Sequence, residues 1–118
     1  LHSDELQKIA VGTLDELKAR DIHVLDVRDK TSITDYMIIA SGTSSRHVKS
    51  LIDAVSDACL KAGVRPIGVE GTQNAEWALA DLGDVIVHVM LPAVRDFYNL
   101  DKLWGEQSPS LLNKDGRG

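Results

Sequence analysis

Residues 76–104, EWALADLGDVIVHVMLPAVRDFYNLDKLW, hold two apolar runs on either side of a Gly83-Asp84 pair. Glu76 to Leu82 and Val85 to Leu91 read as the arms of a β-hairpin, with glycine supplying the positive φ that a tight turn requires. A two-residue turn sets Leu82 opposite Val85, Ala80 opposite Val87 and Leu79 opposite His88. The period of two then gathers Trp77, Leu79, Asp81, Ile86, His88 and Met90 on one sheet face. Pro92 suits the first turn of a short helix running through Tyr98, because its missing N–H costs nothing there. The same segment carries both Trp, the only Phe and one of two Tyr. Aromatic side chains and Arg dominate binding energy at protein interfaces, so this concentration points to binding before catalysis.

The rest of the chain frames the hairpin. Leu6, Ile9, Ala10, Leu14 and Leu17 recur at helical spacing, with Ser3 expected as N-cap. His23 to Arg28 alternates like a strand, and Tyr36 to Ala40 suits a strand buried on both faces. Ser41-Gly42-Thr43-Ser44 opens a second helix capped by Thr43 or Ser44. Val48, Leu51, Ile52, Val55, Ala58, Cys59 and Ala62 mark its buried side, and Gly63 is its stop. Pro66 to Glu70 reads as a short strand before a loop at Gly71 to Ala75. The order of elements predicts an α+β fold: a mixed β-sheet flanked by helices in a single domain over residues 1–104. Residues 105–118, with Gly, Ser, Pro and few anchors, read as a mobile tail.

Bulk properties narrow the partner. The chain has 118 residues, 18 acidic against 13 basic side chains, and a net charge of −5. Direct nucleic-acid binders draw affinity from a basic face that releases counterions, and no Lys/Arg run occurs here. A basic protein is the better-matched partner, with charge steering the encounter. One cysteine, Cys59, fits a reducing compartment. No apolar run approaches the roughly 18 residues of a membrane span and no signal-peptide pattern is read, so the location is expected to be cytoplasmic.

Four segments taken in order resemble one family: DYMIIASGTSSRHV from Asp35 to Val48, GVEG at Gly68 to Gly71, EWALADLGDVIVHV from Glu76 to Val89, and RDFYNLDKLW from Arg95 to Trp104. Together they are similar to the ribosomal silencing factor family, RsfS, also called Iojap or YbeB, from about Leu6 to Trp104. The resemblance implies a nucleotidyltransferase-like fold without catalysis. It also implies binding to the large ribosomal subunit through its protein fourteen, which sterically blocks small-subunit joining and represses translation. It calls for no cofactor and no turnover.

The candidate partner-binding residues are Trp77, Asp81, Asp84, His88, Arg95 and Tyr98. Trp77 is the apolar anchor, and Asp81, without an evident internal partner, marks an exposed functional face. His88 reads as a structural histidine among aliphatics, and no His or Cys lies at metal-ligand spacing from it. Arg95 and Tyr98 belong to the C-terminal helix. As ordinary helix surface it would turn Phe97 or Tyr98 inward, but the favoured reading shares Tyr98 between packing and a partner, with Trp104 holding the end against the sheet. His47 beside Arg46 reads as exposed surface near a helix N-terminus. Two alternatives remain. A nucleotide-binding enzyme could use the Ser41 to Arg46 turn with Glu70, Asp81 or Asp84 as metal ligands, although Pro66 to Glu70 lacks the carboxylate pair of two-metal chemistry. A homodimeric adaptor could use the Trp77 face for self-association.

Overall fold

In the computed structural model, which describes residues 1–73 and 75–104 (the side chains of 103 and 104 excepted), the hairpin forms the centre of a five-stranded sheet. The elements follow in the order α1 (Ser3–Glu16), β1 (Arg20–Asp26), β2 (Tyr36–Ser41), α2 (Ser45–Lys61), β3 (Gly68–Glu70), β4 (Trp77–Asp81), β5 (Val85–Met90), α3 (Pro92–Tyr98) and α4 (Leu100–Trp104). The sheet order is β1-β2-β5-β4-β3. Only β2 and β5 run parallel, so the sheet is mixed and the fold is α+β, as the pattern predicts.

The hairpin register is the predicted one. Leu79 pairs with His88 and Ala80 with Val87, and Gly83 takes a φ of 88° in the turn. The Leu82 N–H donates to the Val85 carbonyl and closes it. Pairing with β1 on one side and β5 on the other makes β2 an interior strand, and its residues from Met37 to Ser41 are all buried.

Alternation then makes two unlike faces. Ile38, Ala40, Ala78, Ala80, Val85, Val87 and Val89 point to one side, where Leu6, Ala10 and Leu14 of α1 and Val48, Leu51, Ile52, Val55 and Cys59 of α2 complete a dry core. Burial pushes the Cys59 thiol pKa up, in keeping with a packing role. The opposite face has a smaller cluster of Val27, Met37, Ile39 and Met90. Val94 of α3 and Leu100 of α4, with Leu25 and Trp77, pack against it.

Local expectations changed at three places. The α1 cap is His2, whose Nδ1 accepts from the Asp4 N–H at 3.4 Å while Glu5 accepts from the His2 N–H at 3.1 Å; Ser3 is the first helical residue and is buried. Strand β1 starts earlier than expected and carries a bulge between Arg20 and His23, with Asp21 at a φ of 50°. The bulge rephases the side chains, so alternation in the sequence becomes regular only from His23. Ala62 is the exposed C-cap of α2, three residues past Cys59, the last of its buried stripe, and Gly63 follows at a φ of 91°. Helix α3 ends at Tyr98 as expected, where Asn99 adopts the left-handed conformation, with φ 54° and ψ 49°, and the separate short helix α4 follows. The expected mobile tail at 105–118 and the structural role of the Trp104 side chain lie outside the described residues.

Candidate aromatic docking face

The predicted residues fall into three groups. Trp77 and His88 lie diagonally on the less covered face, since Trp77 pairs with Met90 and Leu79 with His88. The Trp77 Nε1–H donates to His88 Nδ1 at 3.0 Å. Tyr98 reaches over from α3, and its ring centroid is 4.9 Å from that of Trp77 at an interplanar angle of 51°. Phe97 meets Tyr98 edge to face at 5.0 Å. Trp77, His88 and Tyr98 therefore form one contiguous surface, and Phe97 extends it.

Burial divides the cluster into a seated part and an open part. Trp77 is half-buried, while Tyr98 is 55% and Phe97 81% exposed. Tyr98 packs on Trp77 with its other side in solvent, while Phe97 does not turn inward, because Val94 and the buried Arg95 occupy the inner side of this two-turn helix. Two adjacent aromatics left in water add nothing to folding, and together with Trp77 they make the kind of apolar patch found at interaction sites.

His88 is neutral in this setting. Burial pulls its pKa down to about 4, and its Nδ1 accepts from Trp77, so the ring proton sits on Nε2. The imidazole fixes the indole in place and, through its own desolvation, resists charging.

Asp81 and Asp84 stand apart from this cluster. Asp81 lies four residues along β4 from Trp77, roughly 13 Å at strand rise. It is not uncompensated: its Oδ1 accepts from the Gly83 N–H at 2.9 Å, so it caps the hairpin turn. Asp84 is exposed, and its backbone carbonyl accepts from the N–H groups of Asp35 and Tyr36.

Arg95 occupies an unexpected position. It is buried, at 8% exposure, and its guanidinium forks onto Asp101 at 3.0 and 2.7 Å while donating to Ser41 Oγ at 3.0 Å. Asp101 also meets His23 of β1 at 2.5 Å. Burial alone would raise the Asp101 pKa, but the Arg95 guanidinium and the His23 ring outweigh it and leave the carboxyl below its ordinary range. Sequence reasoning missed this network. Its members come from β1, the end of β2, α3 and α4, and only the short spacing from Arg95 to Asp101 hinted at a pairing.

The serine-rich turn serves the fold. Ser44 caps α2 by accepting from the His47 N–H at 3.1 Å. His47 is half-buried: Nδ1 accepts from the Thr43 N–H at 2.9 Å, and Nε2 donates to the Leu17 carbonyl at 2.9 Å. This ties the start of α2 to the end of α1 and corrects its reading as exposed surface. Gly42 leaves no room for a Cβ, which would lie 2.8 Å from a Val48 methyl, so this glycine serves helix-to-strand packing. Among the described residues no group of three His, Cys, Asp or Glu side chains forms a metal site.

Comparison with known proteins agrees with the motif reading. The family model "Ribosomal silencing factor during starvation" matches residues 1–117. Ribosomal silencing factor RsfS of Chromobacterium violaceum is 48% identical over 91% of this chain and 88% of its own length. The RsfS of Haemophilus influenzae is 48% identical over 84% and 97%. A crystal structure of a C. violaceum protein superposes with a TM-score of 0.87 at 45% identity, covering 90% of this chain and 89% of that one. A Bacillus halodurans structure gives 0.79 at 33% identity over 86% and 95%. With the family model spanning nearly the whole length and relatives this similar over most of theirs, this chain belongs to the ribosomal silencing factor family, RsfS.

Proposed function

We propose that this chain is a non-enzymatic repressor of translation in the cytoplasm, one that binds the large ribosomal subunit and stands where the small subunit would join. The observation that carries the reading is the Trp77–His88–Tyr98 cluster. It is a preassembled aromatic surface with Phe97 and Tyr98 in solvent, on the sheet face that the two long helices leave uncovered. A rigid aromatic patch binds with little loss of side-chain entropy, because its rings are already seated. The net charge of −5 suits a basic ribosomal protein, and protein fourteen of the large subunit is the partner we assign. Asp81 and Asp84 extend the contact toward the hairpin turn, where carboxylates meet basic side chains. Repression then needs occupancy alone, with no substrate, cofactor or turnover.

The test is a sucrose-gradient profile of purified ribosomal subunits with and without added protein. The expected result is that the protein co-sediments with the large subunit and the joined-ribosome peak shrinks. Protein that stays at the top of the gradient while subunits associate normally would refute the assignment. Self-association through the Trp77 face would appear in the same samples as dimers by light scattering, with no co-sedimentation.

A further inference from the structure

We infer that Arg95 and Asp101 are a positioning pair for the docking face: they fix α3 on the sheet so that Tyr98 is delivered onto Trp77. The inference rests on the docking role proposed above and names the device that assembles that surface.

Helix α3 has little of its own to hold it. It is seven residues long, has no side-chain N-cap bond at Leu91, and places Val94 alone in the apolar cluster beneath it. Two helical turns are not stable in isolation, so tertiary contacts must set the angle at which α3 lies. Arg95 supplies them. One arm of its guanidinium reaches Ser41 Oγ at the end of β2, and the other two N–H groups grip both oxygens of Asp101 in α4. Asp101 in turn meets His23 on β1. The network thus ties α3, α4 and both strands at that edge of the sheet together.

Geometry transmits this fixation to the aromatic surface. Arg95 and Tyr98 are three residues apart, one helical turn, so the side-chain direction of one sets that of the other. The backbone closes just after, where the Asn99 N–H donates to the Arg95 carbonyl at 2.7 Å. Arg is the suitable residue here, since a lysine carries the charge but not the planar fork that meets carboxylate and hydroxyl together. Breaking the fork also leaves the partly buried Asp101 carboxylate without its main partner, which loosens the packing of α4 against α3.

The experiment uses the full chain with Arg95→Met, Tyr98→Ala and the double variant. Ring-proton cross-peaks between Trp77 and Tyr98 are followed by NMR in the free protein, and affinity for purified large subunits is measured by co-sedimentation. In Arg95→Met the cross-peaks should vanish while those of the α1–α2 core persist, and affinity should fall about tenfold. In the Tyr98→Ala background the same substitution should change affinity by less than about twofold, since Arg95 acts through Tyr98. Should Arg95→Met not fold, Arg95→Lys should show a partial loss of the same cross-peaks. Cross-peaks that survive in a folded Arg95→Met protein would overturn the inference, as would equal affinity losses in both backgrounds. If Tyr98→Ala itself binds like the unmodified chain, the docking role fails, while the cross-peaks still decide whether Arg95 positions Tyr98.

Discussion

The same five strands present one face that is finished and another that is not. Under α1 and α2, Ile38, Ala40, Ala78, Ala80, Val85, Val87 and Val89 are sealed by apolar residues recurring at helical spacing. Across the sheet, α3 and α4 cover only one end, through a small apolar cluster and the polar Arg95–Asp101 network. Trp77, Leu79, Ile86 and His88 stay half-exposed there. The first face accounts for stability, and the second is the one we propose for recognition. A packed core tolerates volume-conserving apolar swaps at small cost, whereas a recognition surface needs its rings at fixed positions.

The sharpest break of this contrast is a pair of truncations. Ile38→Ala, fully buried in the larger core, should cost about 2–5 kcal/mol, because it removes apolar contact and leaves a cavity. Ile86→Ala, half-buried on the open face, should cost no more than about 1 kcal/mol. Urea unfolding of both variants measures the difference. Equal costs would mean that the second face is also a core in solution.

The next effect is on binding. Trp77→Ala should weaken large-subunit affinity roughly 30-fold, the loss of about 2 kcal/mol typical of a buried aromatic anchor. Co-sedimentation titration reads it, with thermal melting as a separate check on folding. Asp81→Lys is a less clean probe than the sequence suggested, because it also removes the cap on the Gly83 N–H. A Trp77→Ala protein that melts normally and binds at full strength would move the interface off this face.

How far the sequence was legible follows the same division. The hairpin register, the Gly83 turn, the α2 core stripe and the α+β class are local or periodic, and strands and helices of this kind announce themselves by spacing. The site was legible as a segment but not as an arrangement. Trp77 and His88 share a face by strand period alone, and Tyr98 joins them only because α3 folds back at an angle that no spacing encodes. Arg95 reads in the sequence as a partner-binding residue and is buried, since the partner that makes its burial tolerable lies beyond the Asn99 break. Where a side chain's environment is built from four separate elements, one-dimensional pattern has nothing to report.

A pH titration sharpens the contrast further. His88 has a folded pKa of about 4 against an ordinary value of 6.5, so between those values the unfolded chain takes up a proton that the folded chain refuses. Stability is therefore full above about pH 6.5 and declines as pH falls, by about 2 kcal/mol at pH 5, with loss complete below about pH 4. His88→Gln should flatten this slope in urea titrations at pH 7.5 and 5. The carboxyls held below their ordinary range, Asp26 at about 2 together with Asp4 and Asp101, act at lower pH. An unchanged slope in His88→Gln would show that burial of the open face is too slight to exclude charge.

The smallest expected effect comes from the outer surface of α2, on the far side of the finished core. Lys49 and Asp53 form an i,i+4 pair at 2.7 Å, with side chains 55% and 49% exposed. Solvent screens such a pair, and the lysine-first order is the weaker one on a helix, so Lys49→Ala should cost at most about 0.5 kcal/mol. That small loss should shrink further in high salt. Affinity for large subunits should change by less than about threefold, because Lys49 faces away from Trp77 across both α2 and the sheet. Lys49 is thus the control that gives the Trp77 result its meaning. A larger loss of affinity from Lys49→Ala would place the helical side in the interface, and the division between a stabilising face and a recognising face would no longer hold.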